Sequence, residues 1–393
     1  MPCLHYSNRL DRLILPLAQE LDKRDPFDTV EIVVPNFSLE KWISLKLAQY
    51  QGIAANLSFI TLEKAIYQSL KKSLQNRHCE LLKQETIQCL LMDILRDKLV
   101  TVDPVWDSVR SYLSPEAEIN SEAVEQRLFQ LSGRLSYLFK EYEYSRNEEL
   151  IAAWNEGRNA FDQKPLGTES WQRTLCYDLF AAEGKLTFFN RYLNDLNEAD
   201  LHTELFTLPQ LYRICRDSQK NHVSDQVDPV SGPETGSLHI FGVSYLSRFH
   251  QNALTEYLAH LRDIHVYTLN PCMEFWEDVQ SLGEARSAVR RSLESNRQLF
   301  ENQKSLSETE ILQGELFQHE DDNPFLQAWG RPGRENIRLL NQWSDWNFEP
   351  WFAESTPLSA NEQHLEDPQP SILNQIQHDI LCRQPRRTNS LNL

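Results

Sequence analysis

The sequence predicts an α/β protein: a parallel sheet on an NTPase-like scaffold without the Walker motifs, carrying a large inserted helical domain. Three observations lead there. Short apolar runs alternate with helical patterns, which is how βαβ units and parallel sheets read. A long, mainly helical block separates the second of these runs from the third. The first strand–turn–helix lacks every residue that would hold a phosphate.

Leu4-His5-Tyr6 reads as the first strand, followed by the turn Ser7-Asn8-Arg9 and an apolar-periodic helix through Leu10, Leu13, Ile14, Leu17 and Leu21. A nucleotide-binding domain places G-x-x-x-x-G-K-[ST] at this turn, so that backbone N–H groups can wrap a phosphate. Here there is no glycine, no lysine and no hydroxyl placed for magnesium. The second strand, Val30 to Val34, ends at Pro35-Asn36, and Ser38 is the expected N-cap of a helix from Leu39 to Tyr50. Residues 60–215 follow as the helical block. Its clearest helix carries Val124, Leu128, Leu131, Leu135, Leu138 and Tyr142 at alternating spacings of 4 and 3, one buried stripe. Residues 216–236, with Asp228-Pro229 and Gly232-Pro233, read as the linker back to the sheet. Leu238 to Phe241 is the third strand, after which Ser247 starts a helix with Leu254, Tyr257, Leu258 and Leu261. His265 to Tyr267 is the fourth.

Beyond Pro271 the expectations are a charged helix from Ala285 to Phe300, a polar loop from Glu301 to Asn323 and an aromatic-rich stretch from Leu326 to Trp351. A last helix carries Ile372, Leu373, Ile376 and Ile380. The expected domains are therefore a discontinuous α/β domain (1–59 plus 237–385), the inserted helical domain (60–215), the linker and a frayed tail at 386–393.

Composition narrows the function classes. The 393 residues are 40% hydrophobic and 24% charged, with a net charge of −18. That acidity counts against a free-standing, non-specific nucleic-acid binder, while leaving room for a local basic groove. Seven scattered cysteines with no C-x-x-C pair suit reduced, buried thiols in a cytoplasmic protein. No apolar run approaches the ~18 residues of a membrane span, and Met1 leads into polar residues without a signal-peptide core.

No catalytic or metal-binding residues are expected. Gly184-Lys185 is the only Gly-Lys pair, and Gly330-Arg331-Pro332-Gly333-Arg334 has no lysine and no strand leading into it. Asp321-Asp322 sits in a polar loop rather than at a strand end. Glu141, Glu143, Glu148 and Glu149 read as solvated helix surface, and His5, His239 and His265 as core histidines in apolar strands. The helix from Val124 has Arg127, Gln130, Arg134 and Tyr137 on a polar stripe; taken alone, this is an ordinary solvated face.

Six strings change that reading: Tyr6 to Asp11, Gly52 to Asn56, Leu128 to Ser132, Asn270 to Cys272, Asn323 to Gly330 and Asn374 to Leu381. Their order and spacing resemble the N-terminal part of the RecC family, the gamma subunit of the RecBCD helicase–nuclease (exodeoxyribonuclease V). The resemblance implies a superfamily-1 helicase-like fold that has lost its ATPase motifs. It also implies RecB and RecD as partners in a heterotrimer, with ATP and magnesium acting in those subunits. Such a subunit splits duplex DNA ends and guides single strands through tunnels, one of which senses the Chi sequence. Family chains continue past the last residue here, so this chain is expected to match their N-terminal portion.

The tunnel positions implied for DNA binding are Lys41, Thr61, Tyr67, Arg134, Tyr137, Lys140 and Arg146. Tyr67 stands where the family often has tryptophan, and Arg146 matches the family's arginine. Thr61, Tyr137, Lys140 and Lys41 depart from a leucine, two acids and a glutamine. Two competing readings are a truncated docking module from a split or decayed gene and a stand-alone nucleotide hydrolase.

Overall fold

The computed structural model describes residues 2–25, 27–74, 78–115, 121–162, 166–196, 203–222, 236–281, 283–284, 287, 290, 322–343, 345–353 and 372–385. Most of the expected linker, most of the Ala285–Phe300 helix, the loop at 301–321 and the tail fall outside these residues. The chain forms two compact units. The first comprises Met1–Leu62, Thr235–Leu246 and Arg262–Leu393; the second comprises Glu63–Glu234 and Ser247–Leu261.

The strands, in chain order, are β1 (Cys3–Ser7), β2 (Val30–Val33), β3 (Leu57–Ile60), β4 (His78–Leu81), β5 (Thr203–Phe206), β6 (Leu238–Phe241), β7 (Ile264–Leu269) and β8 (Asn347–Pro350). Six of them form the sheet of the first unit, in the order β3-β2-β6-β7-β1-β8, and every neighbouring pair is parallel. β1 and β6 are buried at every residue and β7 at all but Leu269, because the centre of a parallel sheet is covered on both faces. The two edges read differently. β3 is mostly half-buried and β8 is exposed throughout, with Pro350 at an edge where a missing N–H does no harm.

The helix after β1 spans Ile14–Leu21 and not the stretch from Leu10. Pro16 explains the late start: it lacks an N–H and fits only the first turn of a helix. Leu13, Ile14, Leu17 and Ala18 of this segment pack with Ile32, Ile43, Leu47, Phe241 and Tyr267 into one core. The next helix, Phe37–Gln51, is capped by Asn36, whose side chain accepts from the Leu39 N–H at 3.0 Å. Ser38, the expected cap, lies within its first turn. Gly52 closes this helix at φ 82°, a left-handed conformation that favours glycine.

Among the described residues, the second unit is helical apart from the parallel pair β4-β5. Its central helix, Glu122–Ser145, starts at Ser121, whose hydroxyl accepts from the Val124 N–H. The buried line runs through Val124, Leu128, Ser132, Leu135, Ser136, Phe139 and Glu143, while Leu131, Leu138 and Tyr142 are only half-buried. The expected stripe is thus turned, because the helix packs against Gln84–Leu99 and also against Arg248–Asn252. The second contact also corrects a boundary. Ser247–Leu261, expected in the α/β domain, belongs to the helical unit. There Phe249 packs edge-on against Tyr144 at 4.9 Å, and the Tyr257 hydroxyl bonds Ser73 at 2.5 Å. Ser247 caps the helix as expected, but a π turn (Ala253–Tyr257) and a 3-10 turn (Leu258–His260) follow the short α segment. Among the described residues, no helix is long and apolar enough to cross a membrane.

Candidate nucleic-acid interface

The turn after β1 is filled by the chain itself. Beyond β8, the Trp351 N–H donates to the Tyr6 carbonyl at 2.7 Å, and the Ser7 hydroxyl donates to the Trp351 carbonyl at 2.9 Å. Asn8 then pairs with the backbone of Ala353 twice, donating to its carbonyl and accepting from its N–H, both at 2.9 Å. The Ser7 and Asn8 side chains at this turn are therefore committed to a strap of main chain.

Beside the turn lies a cavity of about 550 Å³ at the C-terminal ends of the parallel strands, where open α/β sheets bind ligands. Leu10, Leu39, Trp42 and Leu269 give it apolar walls, and among the described residues no lysine or arginine lines it. Asn36 lies at its edge but already caps the helix, using an N–H that an anion would otherwise meet. Gly242 keeps the floor open, since a Cβ there would stand 2.7 Å from Leu39 Cδ2.

The other phosphate-like strings are also engaged. Lys185 pairs with Asp93 at 2.7 Å and Asp97 at 3.5 Å. Arg331 and Arg334, at the start of the Arg331–Asn341 helix, both pair with Glu284 at 3.1 and 2.8 Å. The Arg334 guanidinium holds the Glu284 carboxyl down at about 2.

Of the positions proposed for DNA, Lys41 and Thr61 belong to the first unit and are exposed. Lys41 lies over the ring of Phe37 at 4.6 Å. The other five belong to the second unit, where the structure separates them. Arg134 and Tyr137 are exposed together, with the guanidinium 5.8 Å from the ring centre. Gln130 shares that face, one helical turn back. Lys140 is half-buried, 3.2 Å from Glu63 and over the Tyr144 ring at 5.1 Å. Arg146 follows the helix about half a turn round from Tyr137 and lies over Phe161. Tyr67 is half-buried, its hydroxyl tied to the Cys79 carbonyl at 3.1 Å and Lys71 over its ring.

Sequence reasoning missed exposed aromatics beside two of these cations, Phe37 at Lys41 and Phe161 at Arg146, and a further pair, Phe188 with Arg191. The i, i+4 spacing of Phe37 and Lys41 and the i, i+3 spacing of Phe188 and Arg191 carried the signal.

Glu143 is not solvated surface. It is buried, accepts from the Thr207 hydroxyl at 3.0 Å and has Arg213 at 3.7 Å; burial pushes its carboxyl up to about 7. Glu141 and Glu149 are exposed. The histidines are buried as expected. His239 lies 3.0 Å from the Tyr267 hydroxyl and 2.5 Å from that of Ser237, and burial lowers its pKa far below the usual value.

A family model described as the RecC N-terminal domain matches residues 3–383. The RecBCD enzyme subunit RecC of Haemophilus influenzae is 28% identical over 406 residues, covering 96% of this chain and 33% of that protein. The same subunit of Escherichia coli is 26% identical over 400 residues, covering 99% and 31%. The chain thus spans about a third of the length of these relatives.

Proposed function

The chain belongs to the RecC N-terminal domain family, and on that premise we propose that it is a non-catalytic, strand-guiding part of a RecBCD-type helicase–exonuclease. It works in the bacterial cytoplasm on double-strand breaks and recombination. Its sheet is that of a superfamily-1 helicase kept for shape. ATP and magnesium act in RecB and RecD, which this chain docks, while it receives duplex ends and guides single strands.

The observation that carries this reading is the strap over the first turn. Ser7 and Asn8 commit their side-chain polar groups to Trp351 and Ala353, which supports a first turn that takes no phosphate. A strand track needs aromatics for bases and cations for phosphates. Arg134 with Tyr137, Arg146 with Phe161 and Lys41 with Phe37 supply such pairs on exposed faces. Thr61, Tyr67 and Lys140 complete the proposed set. Thr61, Tyr137 and Lys140 stand at Chi-sensing positions of the family tunnel, so Chi sensing here uses altered side chains.

Co-expression with RecB and RecD tests the proposal. A complex of all three chains is expected, and the purified chain alone should turn over no ATP. Failure to assemble at any salt, or ATP turnover abolished by a substitution in this chain, would contradict it.

A second reading is a docking module with protein contacts only. The Lys140–Glu63 pair and the tied Tyr67 hydroxyl favour it, because both remove DNA-facing groups. So do the exposed Trp329, Phe275 and Ile372 of the first unit. An assembled complex whose DNA affinity ignores substitutions at Arg134 and Tyr137 would select this reading.

A further inference from the structure

The pairing of β1 with β8 sets His5 directly opposite Glu349. Cys3, two residues before His5, projects from the same face of β1 because strand side chains alternate. The Cys3 sulfur, a ring nitrogen of His5 and a carboxylate oxygen of Glu349 all lie within 4.8 Å of one another. Sequence reading expects no metal ligands here, since Glu349 lies far along the chain from the other two.

One buried ring nitrogen of this cluster is left unsatisfied. His5 Nε2 is 3.3 Å from His265 Nδ1. At the other end of the row, His265 Nε2 faces Glu20 at 3.9 Å. His5 Nδ1 is 3.1 Å from Glu349 Oε2, yet out of line for a hydrogen bond, so this buried nitrogen has no hydrogen-bond partner among the described residues. Cys3 Sγ adds a further donor atom beside that nitrogen and the Glu349 carboxylate.

We propose that Cys3, His5 and Glu349 bind a thiophilic divalent cation of the Zn²⁺ class. Sulfur, imidazole and carboxylate on three protein ligands match the donor set such ions take, with water in the fourth position. Binding releases the Cys3 thiol proton to solvent as the metal–sulfur bond forms, while His5 gives its Nδ1 lone pair. His265 accepts the Nε2–H and fixes the His5 tautomer, the usual role of a ligand's outer partner. Glu349 is half-exposed and opens a path for the ion, whereas Cys3 and His5 are closed off. The ion would fasten the exposed edge strand to β1, directly before the strap that fills the nucleotide turn.

The test uses the full chain, reduced and stripped with chelator, then titrated with Co²⁺. One equivalent is expected to produce a thiolate-to-cobalt charge-transfer band, displaced by Zn²⁺. The band should vanish in both Cys3→Ser and Glu349→Gln and persist in Cys89→Ser, which changes the exposed cysteine. Glu349→Gln sits at a half-exposed position and keeps the test valid if Cys3→Ser fails to fold. No band in the unsubstituted chain, or a band that either folded site variant leaves intact, overturns the proposal.

Discussion

Glu143 hydrogen-bonds the Thr207 hydroxyl while its side chain is closed off from water, and its carboxyl is raised to about 7 from an ordinary value near 4.5. Between those values the folded chain holds a proton that the unfolded chain has released, so protonation favours folding. Stability should therefore fall as pH rises from about 4.5 to about 7 and level off above. The loss is about 3 kcal/mol for a shift of this size. Glu143→Gln should flatten that dependence and stabilise the chain at pH 8, as read from urea midpoints at several pH values. A parallel pH dependence in both proteins would contradict this account of the site. Asn8 supports a second prediction. Asn8→Ala removes two hydrogen bonds to Ala353 and should cost about 1–3 kcal/mol, without creating affinity for an ATP analogue. Tight analogue binding by that variant would mean that the strap merely blocks a working site.

Among the elements, the Glu122–Ser145 helix carries the sharpest contrast, because two of its cations differ in what surrounds them. Arg134 is exposed beside an exposed tyrosine, whereas Lys140 is already neutralised by Glu63. In the assembled complex, Arg134→Ala/Tyr137→Ala should weaken single-strand binding by about 1–3 kcal/mol and reduce its salt slope by about one. Lys140→Ala should change binding much less; the reverse order would place the track on the other flank of the helix. The burial of the strands also explains how much of the fold could be read. β1, β2, β6 and β7 were legible because central parallel strands make continuous apolar runs. β3 and β8 were not, since edge strands such as Asn347–Pro350 carry no such pattern. The missing phosphate loop could be read from Ser7-Asn8-Arg9 alone. The strap that fills it, the Cys3–His5–Glu349 cluster and the rotation of the central helix depend on partners remote in the chain.

At the scale of the whole molecule, the acidity of the chain and the strap over its first turn fit the proposed role as one component of a larger machine. Its net charge of −18 predicts weak binding of DNA by the isolated chain at physiological salt. In the proposed role, the local cation–aromatic pairs act where partner chains complete the groove. The most direct test is the affinity of the complex co-purified with RecB and RecD for blunt duplex ends, measured across a salt series. Tight binding that weakens linearly with the logarithm of salt, and weakens further with Arg134→Ala/Tyr137→Ala, is the predicted result. A complex that binds ends equally well with and without this chain would contradict the strand-guiding role.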